Sequence, residues 1–421
     1  MKKVFFLTVF LLFQTLQAQT NLDFFIQSAL KNNPQIKENN QSFLNSKLEL
    51  DLIHAENTLP KLSLTANYVF VPYFNNRGKL VSSEPQPDAI GYEPAITDGG
   101  LYSALFNVEK NLFNGITIDA LRKQVSVKDD VTRNNSLLLK HDIEKQVTDQ
   151  YLQAYLSMKL IDLENEVLSL LKEEFSVSGK LKESGLIKES DNLLLSIEVE
   201  NQTNALNSAR SQFNTNINQL LTLCGIDNLA VSKIDSIALN LTPLQNNSVY
   251  ARKYELDSLS LHVQQEILES KYNPQISAFF NTGLMAVSLE GIERKLGMSA
   301  GFNFTLPIYD GGQKSITRQQ NEISIKSISY YREYFFNQLK NLRSNSISRQ
   351  VSIKRNIENI QKQIKTYEKV MNISEKEFRQ GLLSVVDYLT ITKNFIELKK
   401  NLISSQNECQ LEISNYNYWN W

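Results

Sequence analysis

Turns are what this sequence has least of. Nine prolines and 15 glycines punctuate 421 residues, a profile unlike that of two ordinary globular domains and one that favours long helices. Histidine is scarce too. His54, His141 and His262 stand apart, and none lies beside a cysteine or a second histidine, so no metal-ligand spacing exists. There is no His-Glu-x-x-His, phosphate-loop or Gly-x-Ser-x-Gly pattern, and neither catalytic residues nor a cofactor is expected. Charge of one sign is also missing. Lys and Arg total 44 against 45 Asp and Glu, a formal net charge of −1, which offers nucleic acid no basic face.

Long apolar runs are absent beyond the first residues. Lys2 and Lys3 precede an apolar run from Val4 to Phe13, and Leu16-Gln17-Ala18 offers a small-residue cleavage site. Residues 1–18 therefore read as a secretory signal peptide, with the mature chain starting near Gln19. No later segment reaches about 18 consecutive apolar residues, so no transmembrane helix is expected. An exported chain of this kind is periplasmic, secreted, or a β-barrel in the outer membrane.

What the sequence does contain is one unit, twice. Gly185-Leu186 lies in Ser-Gly-Leu-Ile-Lys-Glu-Ser-Asp ending at Asp191, and Gly381-Leu382 lies in Gln-Gly-Leu-Leu-Ser-Val-Val-Asp ending at Asp387; the two stand 196 positions apart. Phe113-Asn114-Gly115 and Tyr309-Asp310-Gly311 share that offset, as do Val199, Leu206 and Ile217 with Phe395, Leu402 and Ile413. From Gly115 to Gly185, and from Gly311 to Gly381, 70 positions pass with no proline and no internal glycine except Gly179 and Gly312. At 1.5 Å per residue a helix of that extent spans roughly 100 Å. After each Gly-Leu turn a second helix returns, with Val199, Leu206, Phe213 and Leu220 at seven-residue intervals, the period of a coiled coil. Cys409 takes the repeat position of Phe213. It and Cys224 could pair in an oxidising compartment, but both are expected as unpaired buried thiols.

Upstream of each long helix the period changes to two. Leu62, Leu64, Ala66, Tyr68 and Phe70 alternate with Lys61, Ser63, Thr65 and Asn67, and Ala104, Phe106, Val108 and Leu112 with Leu105, Asn107, Glu109 and Asn111. In the second copy Ile276, Ala278, Phe280 and Leu284 share one face, and Leu296, Met298, Ala300, Phe302, Phe304 and Leu306 another. Such segments suit membrane-spanning barrel strands, although a half-buried soluble sheet alternates in the same way. Four strands cannot close a barrel, and an open edge in lipid leaves backbone groups unpaired. Several chains must share one barrel if these strands span a membrane. The stretch from Val71 to Gly100, rich in Pro, Gly, Asn and Asp, reads as a surface loop and is the candidate for the face outside the cell.

Leu22-Asp23-Phe24-Phe25-Ile26-Gln27-Ser28-Ala29-Leu30 with Asn32-Asn33-Pro34-Gln35-Ile36 resembles the first helix of the TolC-like outer-membrane efflux proteins. Leu59-Pro60-Lys61-Leu62-Ser63-Leu64 resembles that family's approach to its first strand, and Leu306-Pro307-Ile308-Tyr309-Asp310-Gly311-Gly312 its exit from the last. The resemblance covers essentially the whole mature length. It implies a mainly α chain with a transmembrane β-barrel, each repeat a strand pair plus a long coiled-coil helical hairpin. A homotrimer would supply the 12-stranded barrel and the α-helical tunnel. Residues 19–225 form the first repeat, 226–250 the linker and 251–421 the second repeat.

The function so implied is that of an outer-membrane channel in a tripartite efflux or type I secretion system, passive and not enzymatic. A periplasmic adaptor and an inner-membrane pump of RND or ABC type are the implied partners, with outer-membrane lipid around the barrel. The alternative is an adaptor itself, built on coiled-coil hairpins, but two hairpins each preceded by a strand pair speak against it. The resemblance makes Gly185, Leu186, Gly381 and Leu382 the adaptor-docking tips. Asp387 falls at the family's acidic constriction. The position one turn later, acidic in better-known members, is Thr390 here. The family's Arg two residues after the turn glycine is Leu383, so Asp191, the possible gate contact, lacks its expected partner. A weaker ring and a different closing contact are expected; the plainer reading of Asp387 is a helix-start residue.

Overall fold

The computed structural model describes residues 21–421 apart from 85–86, 94–95, 97–98, 228 and 246–247, so the signal segment 1–18 lies outside the described residues. Two units emerge from the contacts. One takes the chain up to Asn40, Arg133–Lys253 and Tyr331–Trp421, and the other takes Gln41–Thr132 and Tyr254–Tyr330. Among the described residues no helix is long and apolar enough to cross a membrane.

The second of these units holds a four-stranded antiparallel sheet. Its strands are β1 (Lys61–Phe70), β4 (Gly100–Phe113), β5 (Gln275–Ala286) and β6 (Leu296–Thr305), in the order β1-β4-β5-β6. Each follows a segment whose apolar period is two. The register puts the alternation to use: Leu62 faces Val108, Leu64 faces Phe106, Val108 faces Phe280, Ala278 faces Phe302 and Ile276 faces Phe304. Because cross-strand partners share a face, the apolar residues of all four strands merge into one surface. Among the described residues β1 and β6 each keep one edge without a partner strand.

The stretch from Val71 to Gly100, expected as plain loop, carries a small hairpin: β2 (Tyr73–Asn76) and β3 (Lys79–Ser82). Arg77 and Gly78 both have positive φ, 47° and 81°, the backbone of a two-residue turn that matches strand twist. Tyr73 is buried at 2% exposure against Gly91, where an added Cβ would stand 2.5 Å from the ring. This unit also includes parts of α2 (Pro34–Thr58), α3 (Gly115–Glu183), α5 (Val249–Ser270) and α6 (Gln313–Arg379). Ile53, Ile118 and Val125 form its small helical core. Lys128 pairs with Glu49 at 2.6 Å, and Lys123 with Glu266 at 2.5 Å.

The other unit is helical. Asn21 opens α1 (Leu22–Asn32) by accepting the Phe24 N–H at 2.9 Å, an N-cap that satisfies an otherwise orphan donor. Phe25 and Ala29 of α1 are buried against Val147, Tyr151 and Ala154 of α3 and Phe213, Ile217 and Leu220 of α4 (Glu189–Cys224). The heptad leucines and Phe213 point inward as their spacing requires, Leu220 with no exposure. Cys224 and Cys409, the latter on α7 (Val385–Trp419), are buried and free. Burial alone pushes the Cys224 thiol up to about 12, so it stays a neutral, packed hydrophobe. Asn32 ties α1 to the end of α4 through its amide, which donates to the carbonyls of Cys224 and Gly225, each at 2.9 Å.

Candidate functional site

Both hairpin tips are built alike. α3 stops at Glu183, and Gly185 adopts φ +71°; its N–H donates to the Lys182 carbonyl and that of Leu186 to the Leu181 carbonyl, both at 2.9 Å. α6 stops at Arg379, and Gly381 adopts φ +72°, its N–H donating to the Phe378 carbonyl at 2.9 Å while Leu382 N–H donates to that of Glu377 at 2.8 Å. This is the double bond of a Schellman motif, and it needs a left-handed residue where glycine carries no Cβ penalty. The residue after that glycine usually folds back onto the helix. Here it does not: Leu186 is 57% exposed and Leu382 is 76% exposed. The tips adjoin, since a Cβ on Gly381 would lie 3.4 Å from the Leu186 Cβ.

Each tip hands over to a helix whose first turn holds the expected aspartate. Asp191 Oδ2 accepts the Lys188 N–H at 3.4 Å. Asp387 is held more closely: its N–H donates to Ser384 Oγ at 3.1 Å, and Ser384 Oγ donates to its Oδ2 at 2.6 Å. Asp387 remains exposed on the surface of α7, as does Thr390, whose hydroxyl donates to the Val386 carbonyl at 2.8 Å. Within the chain, then, Asp387 does the work of a helix start. Leu383 is half-buried and packs on the cluster of Phe378, Val385 and Tyr388. It takes no part in any ion pair.

The densest cluster of ion pairs near the tips centres on Arg379, a residue that local sequence pattern does not mark. Arg379, the last residue of α6, reaches across to α3. Its Nη2 donates to Oε1 of Glu173 and of Glu174, both at 2.8 Å, and lies 2.9 Å from Oε1 of Glu375. Glu174 has no exposed surface, and its Oε2 has no hydrogen-bond partner. Burial pushes the Glu174 carboxyl above the usual carboxylate range, with the hydrogen bond and charge of Arg379 working against that rise. The three carboxylates hold the Arg379 guanidinium firmly protonated, above its ordinary value. Beside them Tyr388 is fully buried with an unpartnered hydroxyl, its ring stacked 4.8 Å from that of Phe378. Further along the helices, Lys400 pairs with Glu164, Lys399 with Glu166 (both 2.7 Å) and Lys393 with Glu198 at 2.9 Å, joining α7 to the first hairpin.

No family model and no curated protein matches the chain. Solved structures do. CusC, described in a study of folding and transmembrane channel formation, superposes with a TM-score of 0.73 at 13% identity, over 96% of this chain and 92% of that one. The outer membrane protein VceC of Vibrio cholerae gives 0.70 at 13% identity, over 95% and 96%. The CmeC outer membrane channel of Campylobacter jejuni gives 0.70 at 13% identity, over 95% and 85%. The fold is that of the TolC-like outer-membrane channels. The superpositions take in 95–96% of this chain and 85–96% of those three, so the four-stranded sheet and the helical hairpins lie within that mainly helical fold. Within it, Arg379 pairs with Glu174, and Leu383 stands two residues after the turn glycine.

Proposed function

We propose that the protein is an outer-membrane duct that passively conducts substrates delivered by a periplasmic adaptor and an inner-membrane pump of RND or ABC type, in tripartite efflux or type I secretion. The observation that carries this reading is the sheet. Leu64, Met298, Phe302 and Phe304 of its apolar face are 76, 79, 75 and 65% exposed, more contiguous apolar surface than a soluble monomer tolerates. Two edges are unpaired, and lipid forbids that. Three copies giving four strands each to a 12-stranded barrel remove both problems, with the helices as a periplasmic tunnel and the two repeats, 19–225 and 251–421 across the linker 226–250, supplying a strand pair and a hairpin each. Fractionation tests it: a heat-modifiable oligomer in the outer membrane supports the duct, and a soluble or inner-membrane species supports an adaptor instead.

In this reading Leu186 and Leu382, exposed beside Gly185 and Gly381, give the adaptor its apolar contact. Replacing both leucines with serine is expected to abolish export while trimer and barrel assemble normally; export at the wild-type level would remove the docking role. Asp387, brought to the axis by three copies, would favour cations at the constriction. Single-channel recording of Asp387→Asn should show reduced cation selectivity, and unchanged selectivity would leave Asp387 as a helix start alone. Among the described residues no cation pairs with Asp191, and in this reading Arg379 makes the gate contact in its place.

A further inference from the structure

Three carboxylates converge on one guanidinium nitrogen at the end of α6. Glu173 and Glu174 come from α3, and Glu375 from α6 itself. With every group ionised the cluster is over-supplied with negative charge, and the acid in the worst position is Glu174, which has no exposed surface and one oxygen without a partner. α7 faces it with Tyr388, an uncharged phenol that is also unpartnered, and four residues along α3 Ser178 Oγ donates to Asn192 Oδ1 of α4 at 2.7 Å. A buried carboxylate lacking half its hydrogen bonds destabilises the packed state. A proton removes both faults at once. It cancels the like-charge crowding and turns an orphan acceptor into a donor, in a pocket that offers an unpartnered phenol oxygen.

We propose that this cluster is an acid-tightened clasp: proton uptake at Glu174 seats the end of α6 more firmly against α3 and α7, and proton loss frees it. The direction is the reverse of an ordinary salt bridge, which acid breaks. Arg379 keeps Glu173 and Glu375 when Glu174 is protonated, so its anchorage survives while the uncompensated buried charge disappears. The sign agrees with Glu174's environment. A carboxyl that binds its proton more tightly when packed adds stability in full below its unfolded value and loses it as pH rises through the packed one. As a regulatory device this rests on the reading of the tips as the closing end of the duct; as chemistry of the two hairpins it does not.

Hydrogen exchange of the full-length mature protein in detergent tests it, followed at residues 169–192 and 371–392 between about pH 8 and about pH 5 and corrected for intrinsic exchange. Protection of both segments is expected to rise towards acid in the wild type. Glu174→Gln, which keeps the shape of the protonated acid, should be protected at every pH and lose the slope. Asp387→Asn, which alters the exposed tip acid, should keep it. A wild-type slope that is flat or falls towards acid, or a Glu174→Gln slope equal to the wild type's, overturns the clasp. Bilayer conductance reads the other premise separately: a protein that conducts at no pH refutes the duct and leaves the exchange result standing.

Discussion

Arg379→Ala is expected to loosen the hairpin ends by about 3 kcal/mol at neutral pH. Removing one partner of a buried pair costs about 3–5 kcal/mol because the charge left behind has lost its compensation, and the charge left behind here is Glu174, with no exposed surface. The low end of that range applies because Arg379 is 37% exposed in its side chain, so water already screens part of the interaction. Loss should appear as lower protection of residues 169–192 and 371–392, and as larger or more frequent openings in a planar bilayer. Two controls fix the cause. Arg379→Lys keeps the charge but gives up the planar fork and should restore stability only in part. Adding Glu174→Gln to Arg379→Ala should recover much of the loss, since the orphaned charge is then gone. The deficit of Arg379→Ala should also shrink in acid, where Glu174 binds a proton instead. Equal deficits at both pH values would assign the effect to lost packing of the arginine stem.

The tips were legible in the sequence because their chemistry is local. A glycine at each helix end, a leucine after it and an aspartate at the same offset require only a turn and a helix start, and the same 196-residue step carries both. The strands were legible for a similar reason: one solvent-facing apolar side imposes a period of two on consecutive residues. β2 and β3 escaped because four-residue strands give too few alternations to count, and Arg77 in the turn carries none of the usual Asn-Gly signal. Arg379 and Glu174 escaped for a deeper reason. They stand 205 positions apart on different hairpins, and no local pattern marks a residue whose partner lies in the other repeat. Two residues after the turn glycine, where the family resemblance implies a cation, stands Leu383. The cation lies two residues before that glycine, on the preceding helix, where a basic residue also complements the helix C-terminus and so draws no notice.

Gly283→Ala is expected to abolish assembly of the sheet, and the reason lies in one backbone approach. Gly283 faces Leu105 across the β4–β5 pair and has φ +153°, a conformation that side chains avoid at a cost of about 1–3 kcal/mol. The larger cost is steric. A Cβ there would stand 2.1 Å from the Ala104 carbonyl oxygen and 2.9 Å from the Leu105 Cα. Both atoms are backbone, so no rotamer change relieves the overlap, and β4 and β5 must move apart. Separation breaks ladder bonds at the centre of the sheet, each worth several kcal/mol where lipid offers no substitute. The helices do not depend on this pairing, so circular dichroism should still report most of the helical signal while the heat-modifiable oligomer is lost from the outer-membrane fraction. Gly297 is the matched control, because it is the β6 partner of Gly283 yet has nothing within 4 Å of its would-be Cβ. Gly297→Ala should assemble within about 0.5 kcal/mol of the wild type. Were Gly283→Ala to assemble as well as Gly297→Ala, the β4–β5 register would be wrong. The apolar face would then not be continuous from β1 to β6, and the barrel reading would lose its main support.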